Sequence, residues 1–231
     1  ETLRELGINI AGLDNIQYIN MTMENFKGVT AFTSSTRVYA NMNQLSSVEQ
    51  EMSDKTFWHE LWHVISRSNP ELRRQMYGLL GFHVLDEEIE IPDEVRAHIL
   101  CNPDVERHDS YATFTINGRK TDCMLMLYAD IDEYEEFISF LNYVATRNGY
   151  WLMALDRETH RQYKTATGEY AVYNCREASD FTAVMSGGNT GYCDDPEECI
   201  ADNFAYAMMN RTDLPNQKLL EDIRNLLKNN H

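Results

Sequence analysis

The amino-acid sequence predicts an α+β fold, in which helices and strands occupy separate stretches of the chain. Helix start signals and helical spacing of apolar residues mark several segments, whereas strand-like residues around an Asn-Gly turn mark the middle. The chain has 231 residues, of which 43% are apolar and 25% charged, and this composition is that of a globular protein. Its length suffices for one large domain or for two small lobes that share a core.

The first part of the chain predicts one strand and two helices. In residues 37–42, small and apolar side chains occupy every second position, which favours a strand. A helix is expected over residues 54–67, with Ser53 or Asp54 as its N-cap. A second helix is expected over residues 70–80, because its first residue is a proline and proline suits the first helical turn.

The rest of the chain mixes both kinds of element. The predicted elements are a hairpin over residues 111–128, a helix over 132–147, a strand over 149–155 and helices over 196–210 and 219–227. The hairpin prediction depends on the Asn117-Gly118 pair, which is typical of a two-residue turn. The helix that begins at Pro196 has Asp195 in the N-cap position.

Charge and composition exclude several classes of function. Lys plus Arg number 20 and Asp plus Glu number 37, so the net charge is −17. Such a chain repels phosphate backbones and anionic membrane surfaces, and we expect no nucleic-acid partner. No run of 18 apolar residues occurs, so no membrane-spanning segment is expected in this stretch. The five cysteines leave one or two disulfides open, and the oligomeric state is left open as well.

The pentapeptide His59-Glu60-Leu61-Trp62-His63 is the first chemical motif of the chain. Each residue of a helix turns by about 100°, so His59 and His63 lie about 40° apart on one face and can bind one Zn²⁺ ion. Glu60 lies beside them, where it can hold the water that zinc polarises. The alternative is a chance match, which the apolar stripe on the opposite helix face disfavours.

Two histidines leave zinc one protein ligand short. Metzincins use a third histidine at the position that Asn69 occupies here, so a glutamate on a later helix is the better source. Glu198 is preferred to Glu197, because Asp202 shares its helix face and can accept a hydrogen bond from a ligand histidine. The alternative for Glu198 is a capping box with Asp195 at the start of the helix.

These two blocks resemble the gluzincin branch of zinc metallopeptidases, through His59-Glu60-Leu61-Trp62-His63 and Glu198-x-x-Ala201-Asp202. The stretch from Asn189-Thr190-Gly191-Tyr192 to Phe204 is also similar to a group of uncharacterised bacterial zinc-peptidase-like proteins. The resemblance implies a zincin-like metallopeptidase fold with a mixed sheet, a zinc cofactor, and hydrolysis of peptide bonds in a peptide or protein substrate. With the acidic charge and the absence of an initial Met, it favours an exported, extracellular or cell-surface bacterial protein.

The sequence distance from His63 to Glu198 is longer than in compact gluzincins. We therefore expect a single catalytic domain over residues 1–231, with residues 81–185 as a large central insert or lobe beside the cleft. Tyr192 precedes Glu198 by six residues and is the candidate that stabilises the oxyanion, a role that gluzincins give to Tyr or His. The alternative is that Tyr192 is an ordinary loop tyrosine.

The expected reaction is metal-assisted hydrolysis. His59, His63 and Glu198 would hold zinc with its fourth position open, while Glu60 takes a proton from water and passes it to the leaving amine. The rival hypothesis is a zinc-containing binding or structural module whose site is occluded. For the enzyme, we expect the strand over residues 37–42 to be an edge strand that pairs with an extended substrate, as in the zincins.

Overall fold

The computed structural model describes residues 16–22, 29–129 and 149–229, and over these residues the fold is α+β, as predicted. The strands are β1 (Gln17–Asn20), β2 (Ala31–Ser34), β3 (Arg37–Ala40), β4 (His83–Val84), β5 (Ser110–Ile116), β6 (Arg119–Leu127), β7 (Tyr150–Leu155) and β8 (Val172–Asn174). The helices are α1 (Met42–Leu45), α2 (Gln50–Ser68), α3 (Pro70–Leu79), α4 (Asp93–Arg96), α5 (Phe181–Met185), α6 (Pro196–Met208) and α7 (Gln217–Asn229). The helix predicted over 132–147 lies outside the described residues.

The helix boundaries follow the predicted start and stop signals, with one difference. Helix α2 begins four residues before the predicted start at Asp54, and its N-cap is Glu49, which makes no side-chain capping bond. Helix α3 has its proline in the first turn, as predicted. At the start of α6 the Asp195 carboxylate accepts a 2.8 Å hydrogen bond from the backbone N–H of Glu197, which confirms the predicted N-cap.

The predicted hairpin is formed by β5 and β6. Its turn residues Asn117 and Gly118 have φ values of 49° and 75°, the left-handed conformation that a type I′ turn requires. Strands β4 to β8 follow one another in chain order in a five-stranded antiparallel sheet. Residues 81–185 therefore supply a sheet, and one of its faces joins the main core with helices α2, α3, α6 and α7.

The second sheet has three strands in the order β1-β3-β2, with β1 parallel and β2 antiparallel to β3. We expected residues 37–42 to form an edge strand, and β3 covers most of this segment. The expectation is wrong, because β3 pairs with β1 on one side and with β2 on the other. The other two strands of this sheet were not predicted, and neither were β4 and β8: β1 has no regular apolar alternation, and the turn from β2 to β3 begins with Ser35, at a φ of 55°, without Gly or Asn. Among the described residues, β1 and β2 lie at the two edges of this sheet.

Helices α2 and α6 pack against each other in the main core. Ala201 and Ala205 on α6 are completely buried, and their small side chains allow close approach of the two helices. Trp62 of α2 and Phe204 of α6 are also fully buried, with ring centroids 5.7 Å apart. This contact fixes the relation between the His-Glu motif and the later glutamates. Within the described part of the chain, no helix combines the length and apolarity that crossing a membrane requires.

Candidate metal centre

The packing of α2 on α6 brings His59, His63 and Glu198 together. The Nε2 atom of His59 is 3.0 Å from one carboxylate oxygen of Glu198, and Nε2 of His63 is 3.8 Å from the other. One ligand atom from each residue lies within 4.8 Å of the other two. His59 is 8% exposed, and His63 and Glu198 are fully buried. The three residues proposed from the sequence therefore form a compact and buried donor set.

The Nε2 atom of His63 indicates what this donor set accommodates. It is buried, and among the described residues it has no hydrogen-bond partner. An unsatisfied buried polar atom costs free energy, so such atoms call for an explanation. Here the atom faces a carboxylate oxygen and a second imidazole, as expected around a cation. Two imidazoles and a carboxylate are a common set of Zn²⁺ ligands, and the residues present fit that ion.

The Nδ1 atom of each imidazole is oriented by a carboxylate of α6. Nδ1 of His59 is 2.9 Å from Asp202, at the contact that the helix spacing predicted. Nδ1 of His63 is 3.0 Å from Glu197, a contact that no residue spacing in the sequence predicted. With both Nδ1–H groups donating to carboxylates, both Nε2 lone pairs remain available for a metal.

Glu197 and Asp202 are held as anions by the groups around them. Burial alone would raise the pKa of Glu197, but the hydrogen bond from His63 and the nearby Arg73 lower that pKa to about 2. The pKa of Asp202 is likewise held well below its usual range, because His59 and Lys55 outweigh the effect of burial. Lys55 reaches Asp202 at 2.8 Å. Both carboxylates are therefore ionised at neutral pH and act as permanent acceptors.

Further hydrogen bonds hold Glu197 in place. Its carboxylate accepts from the hydroxyl of Tyr77 at 2.6 Å and from the hydroxyl of Ser66 at 2.5 Å. Nε of Arg73 lies 3.8 Å from the same carboxylate. The rigid setting of Glu197 fixes the ring plane of His63 in turn.

Glu60 lies next to the donor set on the side of strand β2. Its carboxylate is 4% exposed and accepts a 2.7 Å hydrogen bond from the hydroxyl of Thr33. Glu60, His63 and Asp104 form a second group whose candidate ligand atoms lie within 4.8 Å of one another. Asp104 was not among the predicted site residues, because it lies in a segment with neither helical nor strand periodicity.

Tyr192 lies against the imidazole of His59. Its ring stacks on that of His59 at a centroid distance of 5.9 Å, and its oxygen accepts a 3.2 Å hydrogen bond from the amide of Asn102. The same amide lies 3.1 Å from Glu198 and 2.9 Å from Asp194. Burial and the charge of Glu198 raise the pKa of Tyr192, so its phenol keeps its proton and can act as a donor.

The structure thus brings all six predicted site residues into one cluster. Those residues are His59, Glu60, His63, Tyr192, Glu198 and Asp202. It adds Glu197, Asn102 and Asp104, of which only Glu197 stood beside a predicted residue in the sequence. Comparison with known protein families, curated proteins and solved structures found no match to this chain.

Proposed function

We propose that this protein is a zinc-dependent peptidase with a zincin-like fold, a gluzincin-type hydrolase that cleaves peptide bonds in peptide or protein substrates. One observation carries the proposal. His59, His63 and Glu198 converge within 4.8 Å, and the Nε2 atom of His63 is buried without a hydrogen-bond partner among the described residues. Glu60 of the same helix lies beside them, which is the arrangement that metal-assisted hydrolysis needs.

His59 and His63 would hold Zn²⁺ through Nε2, and Glu198 would hold it through its carboxylate. When bound, the ion supplies Lewis acidity and lowers the pKa of a water molecule. Asp202 and Glu197 keep the imidazoles in the required orientation by accepting from their Nδ1–H groups.

Glu60 is the general base of the proposed reaction. Its carboxylate takes a proton from the attacking water and delivers that proton to the leaving amine. The hydroxyl of Thr33 donates to this carboxylate and fixes its orientation. Tyr192, whose phenol remains protonated, donates to the oxygen that gains negative charge in the tetrahedral transition state.

The test is the substitution Glu60→Gln, with Glu71→Gln as the matched control. Glu71 is a largely exposed glutamate on α3, 72% exposed at its side chain. We expect Glu60→Gln to retain zinc by atomic emission and to lose hydrolysis of a peptide library read by mass spectrometry, whereas Glu71→Gln retains both. Hydrolysis by Glu60→Gln at the native rate would contradict the mechanism. Absence of zinc in the native protein would contradict the whole proposal.

A structural or binding module with an occluded zinc site is the second candidate. The observation that favours it is burial: His59, Glu60, His63 and Glu198 are 8%, 4%, 0% and 0% exposed. For such a module, removal of zinc by a chelator lowers the melting temperature strongly, and no peptide in a broad library is cleaved. Cleavage that stops with Glu60→Gln decides for the enzyme.

We also propose that the protein is exported by a bacterium. The proposal rests on the resemblance and on the net charge of −17. Fractionation of the source cells tests it, with the full-length product expected outside the cytosol. Detection in the cytosolic fraction alone would reject it.

A further inference from the structure

The loop of residues 100–109 lies directly against the candidate metal centre. Asn102 donates to the Glu198 carboxylate at 3.1 Å, and Asp104 places a carboxylate oxygen within 4.8 Å of ligand atoms of Glu60 and His63. Asp104 is 6% exposed, so its carboxylate is enclosed with the donor set. The centre is therefore approached by acidic side chains from the loop as well as from α6.

The same loop occupies the edge of the three-stranded sheet. The backbone N–H of Thr33 donates to Asp104 at 2.5 Å, and that of Ser35 donates to Glu106 at 2.7 Å. Thr33 lies within β2, and its N–H faces away from β3, whereas Ser35 begins the turn that follows the strand. An extended peptide added to β2 would use the N–H of Thr33. The Asp104 carboxylate already accepts from this group, and Glu106 accepts at the adjoining turn.

The two groups of candidate ligands serve one ion rather than two. Both groups contain His63, and its Nδ1 atom is engaged by Glu197. Only Nε2 is left, and a single lone pair binds a single metal. A metal on Nε2 of His63 would therefore have two carboxylate candidates beside it, Glu198 on the side of α6 and Asp104 on the side of the loop.

We propose that Asp104 is a fourth protein ligand of this ion and that the loop segment Asn102–Glu106 holds the centre in a closed, latent form. The inference rests on the proposed zinc site and adds a ligand and a form of regulation to it. Asp104 would take the fourth coordination position, which the attacking water needs. The loop covers the free edge of β2, with which the backbone of an extended substrate would pair. The loop leaves β2 in a minor fraction of the molecules, and that fraction carries out the hydrolysis that the proposed function assigns to the native protein.

Zinc affinity tests the ligand. Competition with a chromogenic chelator is measured for the native protein, for Asp104→Asn, and for Asp86→Asn as a control whose carboxylate is 94% exposed. We expect Asp104→Asn to weaken zinc binding by more than the ~10–100-fold that loss of an outer hydrogen-bond partner costs, and Asp86→Asn to leave it unchanged. Equal affinity of all three proteins would overturn the inference and leave the zinc site itself intact.

A second measurement, of ligand access to the metal, uses only the native protein. The native protein is loaded with Co²⁺, and its visible spectrum is followed as acetohydroxamate, a small chelating ligand, is added. A centre closed by four protein ligands shows no spectral change, whereas an open centre does. A full change at low acetohydroxamate concentration in the native protein would overturn the inference. Failure of the native protein to bind either metal would instead overturn the proposed function.

Discussion

The metal centre has two sides, a helix side formed by α2 and α6 and a loop side formed by residues 100–109. The charges of their carboxylates are balanced differently. On the α6 side, Glu197 and Asp202 each face cationic or donating partners, and their pKa values lie below the usual range. On the loop side, Asp104 faces Glu60 and Glu198. Burial raises the pKa of Asp104 to about 7, with these two carboxylates adding to the rise and His63 opposing it. Among the described residues, the helix-side carboxylates form ion pairs, whereas the Asp104 carboxylate forms none, and a bound cation would supply the balancing charge.

The two sides also differ in what holds them. The α2–α6 pair is held by a buried apolar contact, in which Trp62 and Phe204 are both fully buried. The loop is held by polar contacts, which include hydrogen bonds to β2 and Glu198 and ion pairs of Glu106 and Asp109 with arginines of α2 and α3. Polar contacts exchange with water when the loop opens, whereas buried apolar area has no such replacement, so we expect the helix side to be the rigid half of the centre.

The largest effect is expected from Trp62→Ala, which removes the apolar contact of the helix side. Truncation of a fully buried aromatic residue costs about 3–5 kcal/mol of unfolding free energy. Urea unfolding measures the change, and zinc binding should weaken with it. Phe57→Ala on the same helix is the control, since Phe57 is 44% exposed and should change stability far less. Similar losses for the two variants would remove the basis for a rigid helix side.

Asp202→Asn weakens the charge balance of the helix side without changing shape. The neutral amide orients His59 less strongly and leaves Lys55 without its anion. We expect zinc affinity to fall by ~10–100-fold, as measured by chelator competition. Asp213→Asn is the control, because this carboxylate is on the surface and is 62% exposed. An unchanged affinity in Asp202→Asn would show that Asp202 does not orient the ligand.

Thr33→Val probes the loop side at its contact with Glu60. The substitution keeps the β-branched shape and the backbone N–H that holds Asp104, and it removes the hydroxyl that donates to Glu60. We expect a loss of about 1–2 kcal/mol in unfolding free energy. Thr56→Val is the control, since its hydroxyl donates to the carbonyl of Met52 in its own helix, at an exposed position. A loss no greater than in this control would mean that the bond is not formed in solution.

The smallest effect concerns pH. His108 lies near the end of the loop, and burial lowers its pKa below 6.5 although Glu88 opposes the shift. The unfolded chain binds a proton here more readily than the folded chain, so this contribution to stability is present above about pH 6.5 and is lost as the pH falls below it.

Urea unfolding at pH 7.5 and 5.5 measures that loss. It should be smaller in His108→Gln than in the native protein, and the exposed His83→Gln should match the native protein. Equal losses in all three proteins would contradict the assignment.

The helix side was predictable from the sequence, because its residues recur at helical spacing. His59 and His63, and likewise Glu198 and Asp202, are four apart, and each pair shares one helix face. The capping by Asp195 and the Asn117-Gly118 turn are local patterns as well, and both were found.

The loop side had no such pattern. The contact between Thr33 and Asp104 joins residues 71 apart, and that between Asn102 and Glu198 joins residues 96 apart. Neither lies in a periodic segment, so one sequence alone does not reveal the pairing. The four-residue strands β1 and β2 are also too short for a reliable alternation, and for this reason the edge of the small sheet was assigned to the wrong strand.

Strand β6 has a consequence for how the protein melts. Its Cys123 and Leu125 side chains belong to the main core, and the intervening Met124 and Met126 belong to a smaller apolar cluster on the other face of the sheet. Strand β6 therefore contributes side chains to both apolar clusters. If β6 leaves the sheet, apolar residues of both clusters become exposed to solvent. We expect the metal centre and the outer cluster to unfold in one cooperative step, with calorimetric and van't Hoff enthalpies that agree.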